Sequence, residues 1–105
     1  METIPVKNLA HLKKLLHKGA QYRAIYHSVH PEYVGLIREV TTVQTNAVYS
    51  KIKGQPQHDL SICNYGKGVR TEFEKANRYI FGDTVKVLDK DCKKVMYEFE
   101  MLKNV

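Results

Sequence analysis

Cysteine is scarce in this chain, long apolar runs are missing, and acids are few over the first half. Cys63 and Cys92 are the two cysteines, widely separated and without a Cys-x-x-Cys pair. That spacing argues against a disulfide-built scaffold or a zinc ribbon and predicts free, buried thiols. No apolar stretch approaches the ~18 residues of a membrane span, so no membrane attachment is expected. Residues Met1 to Lys7 lack the basic and apolar regions of a secretory signal, and a cytoplasmic location is the default expectation. Catalytic signatures are missing as well. Ser28, Ser50 and Ser61 stand in no nucleophile-elbow context, nothing in the pattern fixes a histidine beside Cys63, and the acids mostly adjoin bases, as in Arg38-Glu39 and Glu74-Lys75. An isolated carboxylate pair suited to acid/base work is not evident, so a non-enzyme without cofactor or metal is expected.

What is present fits one domain over residues 1–105, since 105 residues support a single core and not two. The 43% hydrophobic and 27% charged content is that of a folded globular chain. The net charge of +6 is unevenly placed. Residues 1–58 hold eight Lys/Arg against three acids, together with all five histidines, whereas residues 59–105 hold nine against eight. A cationic first half interleaved with Tyr22, Tyr26, Tyr33 and Tyr49 points to a polyanion-facing surface.

The pattern predicts a helix over about 8–18, with Asn8 as N-cap and Gly19 as the left-handed residue that ends it. Leu9, Leu12, Leu15 and Leu16 share one face for packing on a sheet, and Lys13, Lys14, His17 and Lys18 point elsewhere. From Gln21 the period changes to two. Strands are expected over about 21–28, 33–43 and 47–53, with Tyr22, Ala24 and Tyr26 on one face of the first. His30-Pro31-Glu32 interrupts the sequence, Gly35 marks a bulge or a close backbone approach, and Thr45-Asn46 makes a tight turn. Glycines and a proline between 54 and 68 imply a long loop around a short strand at about 60–63. Residues 69–78 stay open between a helix begun by the capping box Thr71-x-x-Glu74 and an alternating strand. A C-terminal hairpin pairs strands at about 84–88 and 94–102 across Asp89-Lys90-Asp91, with Val95, Tyr97, Phe99 and Met101 on one face. The expected fold is α+β: one N-terminal helix packed on a strongly twisted antiparallel sheet or a small part-closed β-barrel.

Three constellations bear on function. His27-x-x-His30 resembles half a metal site, but strand spacing puts rings three apart on opposite faces, and exposed turn histidines are the plainer reading. Asn64-Tyr65-Gly66-Lys67-Gly68 sets a lysine between glycines, so Lys67 and its neighbouring amides can meet a phosphate, although the nucleotide-hydrolase pattern G-x-x-x-x-G-K-[ST] is missing and a structural turn is the plainer reading of the glycines. Arg23, Arg38, Lys51 and Lys53 fall on three successive expected strands. If they share a face, they form a cationic patch with Tyr26 and Tyr49 as stacking platforms, in the manner of OB-like or SH3-like sheets. Core tyrosines and apolar-covering basic stems are the structural alternative.

The run Ile4-Pro5-Val6-Lys7-Asn8-Leu9, the stretch from His30 to Val40 and the segment Cys63 to Gly68 resemble small uncharacterised proteins carried by phages and other mobile elements of Gram-positive bacteria. The resemblance names no activity and no site residues. It implies a context in which small proteins bind nucleic acid or block a host enzyme, including defence nucleases. Inhibitors that imitate DNA carry acidic surfaces, and a charge of +6 departs from that pattern. The expectation is therefore a non-catalytic nucleic-acid-binding domain, DNA or RNA, monomeric or a small homo-oligomer. A module gripping a host protein is the alternative.

Overall fold

A computed structural model describes residues 2–43, 48–55, 58–60, 79–89 and 91–103. The elements in chain order are β1 (Thr3–Ile4), α1 (Leu9–Leu15), β2 (Gln21–His27), a 3₁₀ turn (Pro31–Tyr33), β3 (Ile37–Val43), β4 (Val48–Ile52), β5 (His58–Leu60), β6 (Tyr79–Ile80), β7 (Val85–Leu88) and β8 (Val95–Leu102). Among the described residues, one α-helix and an antiparallel sheet in the order β5-β4-β3-β2-β8-β7-β6 make an α+β fold, with β1 added to the end of β8. Among the described residues the two outer strands do not pair, so the sheet is open.

The helix begins as its sequence dictates. Asn8 Oδ1 accepts from the His11 amide at 2.8 Å, and His11 Nδ1 accepts from the Lys7 amide at 3.0 Å, so two orphan donors are satisfied reciprocally. Seven residues are too few to hold helical form alone. Burial supplies the stability: Leu12 and Leu16 lie in the core, with Leu9 and Leu15 packed against it. The helix ends at Leu15, earlier than its leucine pattern suggests, and Gly19 takes its left-handed conformation (φ +91°) in the turn feeding β2. There the Gly19 amide donates to Val40 O at 2.9 Å and the Val40 amide to Ala20 O at 2.8 Å, which extends the β2–β3 ladder.

The inner sheet face is set by register. Tyr22 opposes Arg38 and Met101, Ala24 opposes Phe99, and Val40 opposes Ser50; all are buried. Tyr22 and Phe99 meet edge to face at 5.3 Å, and Tyr97 stacks on Phe99 at 5.6 Å.

Three register shifts correct the simple alternation. Between Ala24 and Tyr26 the ladder to β8 skips Ile25, so Tyr26 opposes Glu98 on the outer face and does not follow Tyr22 and Ala24 inward. Between Val40 and Thr42 it skips Thr41. Between Val87 and Leu88 it shifts by one residue of β8, so Val95 leaves the inward row of Tyr97, Phe99 and Met101. β3 starts at Ile37 and not at Tyr33, because Pro31–Tyr33 forms a 3₁₀ turn and Gly35 adopts φ +87° while its amide donates to Ala24 O at 2.8 Å. Glycine at 35 is called for by this positive φ and not by a close approach, since an added Cβ would meet nothing within 4 Å. In the C-terminal hairpin Asp89 organises the turn, its carboxylate accepting from the amides of Lys93 at 2.8 Å and Lys94 at 3.3 Å. The Thr45-Asn46 turn, the Asn64 to Gly68 loop and the open segment 69–78 lie outside the described residues.

Candidate nucleic-acid interface

The outer sheet face gathers some of the expected site residues and not others. Arg23, Tyr26, Tyr49 and Lys51 share it, through the registers Arg23 with Glu100, Tyr26 with Glu98, Thr42 with Tyr49 and Glu39 with Lys51. Tyr26 is exposed and Tyr49 half-buried. Arg38 does not join them. It alternates onto the inner face, where its Nε donates to Ser50 Oγ at 2.8 Å and its Nη2 to Ser50 O at 3.3 Å, and it is 8% exposed. Lys53 lies beyond the end of β4, exposed in the turn to Gly54. Lys67 is outside the described residues.

Among its described residues that face alternates in charge. Arg23 pairs with Glu100, its Nε donating at 2.8 Å, and Lys51 sits across from Glu39, which also accepts from Gln21 at 3.4 Å. Lys86 opposes Glu98, whose carboxylate accepts from Thr84 at 2.6 Å. Arg23, Lys51 and Lys86 each have a cross-strand carboxylate, so these described cations present little net field toward a polyanion.

Among the described residues, a group of exposed cations lies on the helix side of the molecule. Lys7, Lys13, Lys14 and Lys18 are exposed around α1, with His17 exposed and His11 half-buried between them. Among the described residues no ion pair to a carboxylate involves Lys7, Lys14 or Lys18. The sequence carries a signal for this surface that is distinct from strand patterning: no acid occurs from Thr3 to Pro31. The leucine stripe fixes the orientation, because burying Leu12 and Leu16 forces the intervening lysines outward.

The two histidines of His27-x-x-His30 are brought together, contrary to the strand-spacing expectation. β2 ends at His27, the chain bends at Ser28 and Val29, and the His30 ring returns to 5.3 Å from His27. Tyr33 and Tyr97 flank His27 at 5.7 and 5.1 Å, and the Arg38 guanidinium lies 5.9 Å from the centre of the Tyr33 ring. His27 Nδ1 accepts from the backbone amides of Val29 at 3.2 Å and His30 at 2.9 Å, while His30 Nδ1 donates to Glu32 Oε1 at 2.9 Å. Partial burial, then the neighbouring His30, hold His27 below the usual histidine value, and the Arg38 charge acts in the same direction. Glu32 is held below the usual carboxylate value, chiefly by a backbone amide and then by His30. Among the described residues no group of three or more His, Cys, Asp or Glu could hold a metal ion. Cys92 is a free, half-buried thiol at φ +58°.

Beside this turn, Tyr26, Ser28, Lys94, Val95, Met96 and Glu98 line an open groove of about 730 Å³. Ile25 of β2 and Val34 and Leu36 of the β2–β3 connection are also exposed. No helix among the described residues is long and apolar enough to cross a membrane. No protein-family model, curated protein or solved structure significantly matches this chain.

Proposed function

We propose that this protein is a non-catalytic nucleic-acid-binding domain that grips the phosphate backbone through the basic surface around α1. The exposed Lys7, Lys13, Lys14 and Lys18 within an acid-free segment carry this reading. Flexible lysines on a solvent-facing helix make phosphate contacts without base selectivity, so affinity is expected to be strongly salt-dependent and weakly sequence-dependent. Arg23, Lys51 and Tyr26 on the outer sheet face serve as a secondary surface, weakened by Glu39, Glu98 and Glu100. Arg38 contributes through folding and not through contact, because it is buried against Ser50.

Anisotropy titrations against single-stranded DNA, duplex DNA and RNA at several salt concentrations test the proposal. Lys13→Glu with Lys14→Glu should weaken binding at least about tenfold and lower the salt slope by about one for each lost phosphate contact. Unchanged affinity in that double variant removes the helix surface from consideration.

A second reading, an interaction module of a phage or mobile element that blocks a host enzyme or defence nuclease, is favoured by the exposed apolar residues Ile25, Val34 and Leu36. It predicts a one-to-one complex with a single host protein that survives nuclease digestion and high salt and is lost in Leu36→Asp. Failure of either condition counts against it.

A further inference from the structure

We infer that His27 is a pH-sensitive latch on the turn between β2 and β3, released when the imidazole gains a proton. The geometry of one nitrogen carries the inference. His27 Nδ1 receives two backbone N–H groups, from Val29 and His30, and so holds a lone pair there with the ring proton on Nε2. A proton from solvent arriving at Nδ1 converts the acceptor into a donor facing two donors. Both hydrogen bonds are lost together, and partial burial with the neighbouring His30 and Arg38 disfavours the new cation.

The ring's surroundings come from several elements. His30 stands at 5.3 Å within the same turn, Tyr33 of the 3₁₀ turn at 5.7 Å and Tyr97 of β8 at 5.1 Å. The Arg38 charge from β3 opposes protonation, and the Glu32 charge favours it. Glu32 is itself engaged by His30. The balance keeps His27 neutral in the folded protein below the pH at which a free histidine charges.

The sign of the pH effect follows. The folded-state value is lowered, so the latch's contribution is complete above the ordinary value of 6.5. It diminishes as pH falls below that value, because the unfolded chain takes up the proton first, and is gone once pH has passed through the folded-state value. Glu32 acts in a lower window, below its ordinary 4.5, so the two losses occur in sequence on acidification.

The latch also has a structural reach. The Ser28 amide donates to Met96 O at 3.0 Å, the Ser28 hydroxyl contacts Met96 Sδ at 3.8 Å, and Ser28, Tyr26 and Met96 form one wall of the groove. Release of residues 28–30 therefore loosens that wall, while the buried rows of Tyr22, Ala24 and Phe99 stay packed.

Nuclear magnetic resonance on the intact chain tests this directly. The His27 ring nitrogens should report the Nε2–H tautomer at neutral pH and a midpoint below that of a free histidine. Amide exchange at Val29 and His30, corrected for intrinsic rates, should quicken roughly tenfold or more between about pH 7.5 and about pH 5, with the same midpoint. His27→Asn places an oxygen where Nδ1 stands and cannot titrate, so its turn amides should keep their protection across the range. His30→Ala should leave the His27 tautomer unchanged. An Nδ1–H tautomer, a midpoint at or above the free value, or protection at Val29 and His30 that persists through His27 titration each overturns the latch. The tautomer and midpoint are read on the unmodified protein, so the test does not depend on a variant folding.

Discussion

The most consequential single residue for the packed sheet is Ser50. It is fully buried, its hydroxyl lies 2.7 Å from the Tyr22 hydroxyl, and it accepts from Arg38 Nε at 2.8 Å. A guanidinium drawn into the inner face needs such acceptors, since a buried cation without them is strongly disfavoured. Ser50→Ala removes the side-chain acceptor and should lower stability by about 1–3 kcal/mol in urea denaturation, whereas Tyr22→Phe, which keeps the ring, should cost about 1 kcal/mol. A binding defect in Arg38→Glu would then report misfolding, and circular dichroism must precede any interpretation of it. Glu32 gives a second residue-scale test. Its carboxylate is held low by a backbone amide and by His30, so its contribution is present above pH 4.5 and lost as pH falls through the lowered value. In His30→Ala the Glu32 titration, followed by carboxyl carbon shifts, should move back toward the ordinary value.

At the scale of elements, α1 shows local and tertiary rules acting in succession. Asn8 starts it through a side-chain bond that the sequence advertises, and Asn8→Ala should cost about 1 kcal/mol of global stability in urea melts. Its early end at Leu15 was not legible, because a leucine stripe continues through Leu16 whether or not the backbone does. Leu16 is buried from a non-helical conformation (φ −86°, ψ +57°), so the same apolar side chain serves the core on either side of the helix boundary. Gly19 was legible as a left-handed residue. Added bulk there would meet nothing within 4 Å, so Gly19→Ala should be destabilising by about 1 kcal/mol through φ alone. The bulge at Ile25 is the element-scale feature that most alters the site. Alternation puts Tyr26 with Tyr22, yet one skipped residue turns Tyr26 outward and brings His27 opposite Tyr97. No local residue pattern marks that skip; it arises where β2 must satisfy β8 and also turn back at Ser28.

For the whole molecule, the division of charge matters more than its total. A face with alternating Arg23, Glu100, Glu39 and Lys51 should tolerate charge changes with little effect on polyanion affinity, and Arg23→Gln should alter it by no more than about threefold, read by anisotropy at fixed salt. The helix side, by contrast, should govern both affinity and its salt slope. The α+β composition, the C-terminal hairpin, the N-cap and the inward leucines of α1 followed from the sequence by itself, because period, capping chemistry and turn residues act within a few positions of one another. The concentration of positive charge in the first half was equally plain. Which cations share a surface was decided only by the tertiary structure. Arg38 went inward and Arg23 met Glu100, 77 positions away, because strand register joins residues that no local rule can see. His27 and His30 met for a similar reason: the strand stopped at His27 and the chain folded back on it, which depends on the neighbouring strands and not on the spacing of two residues.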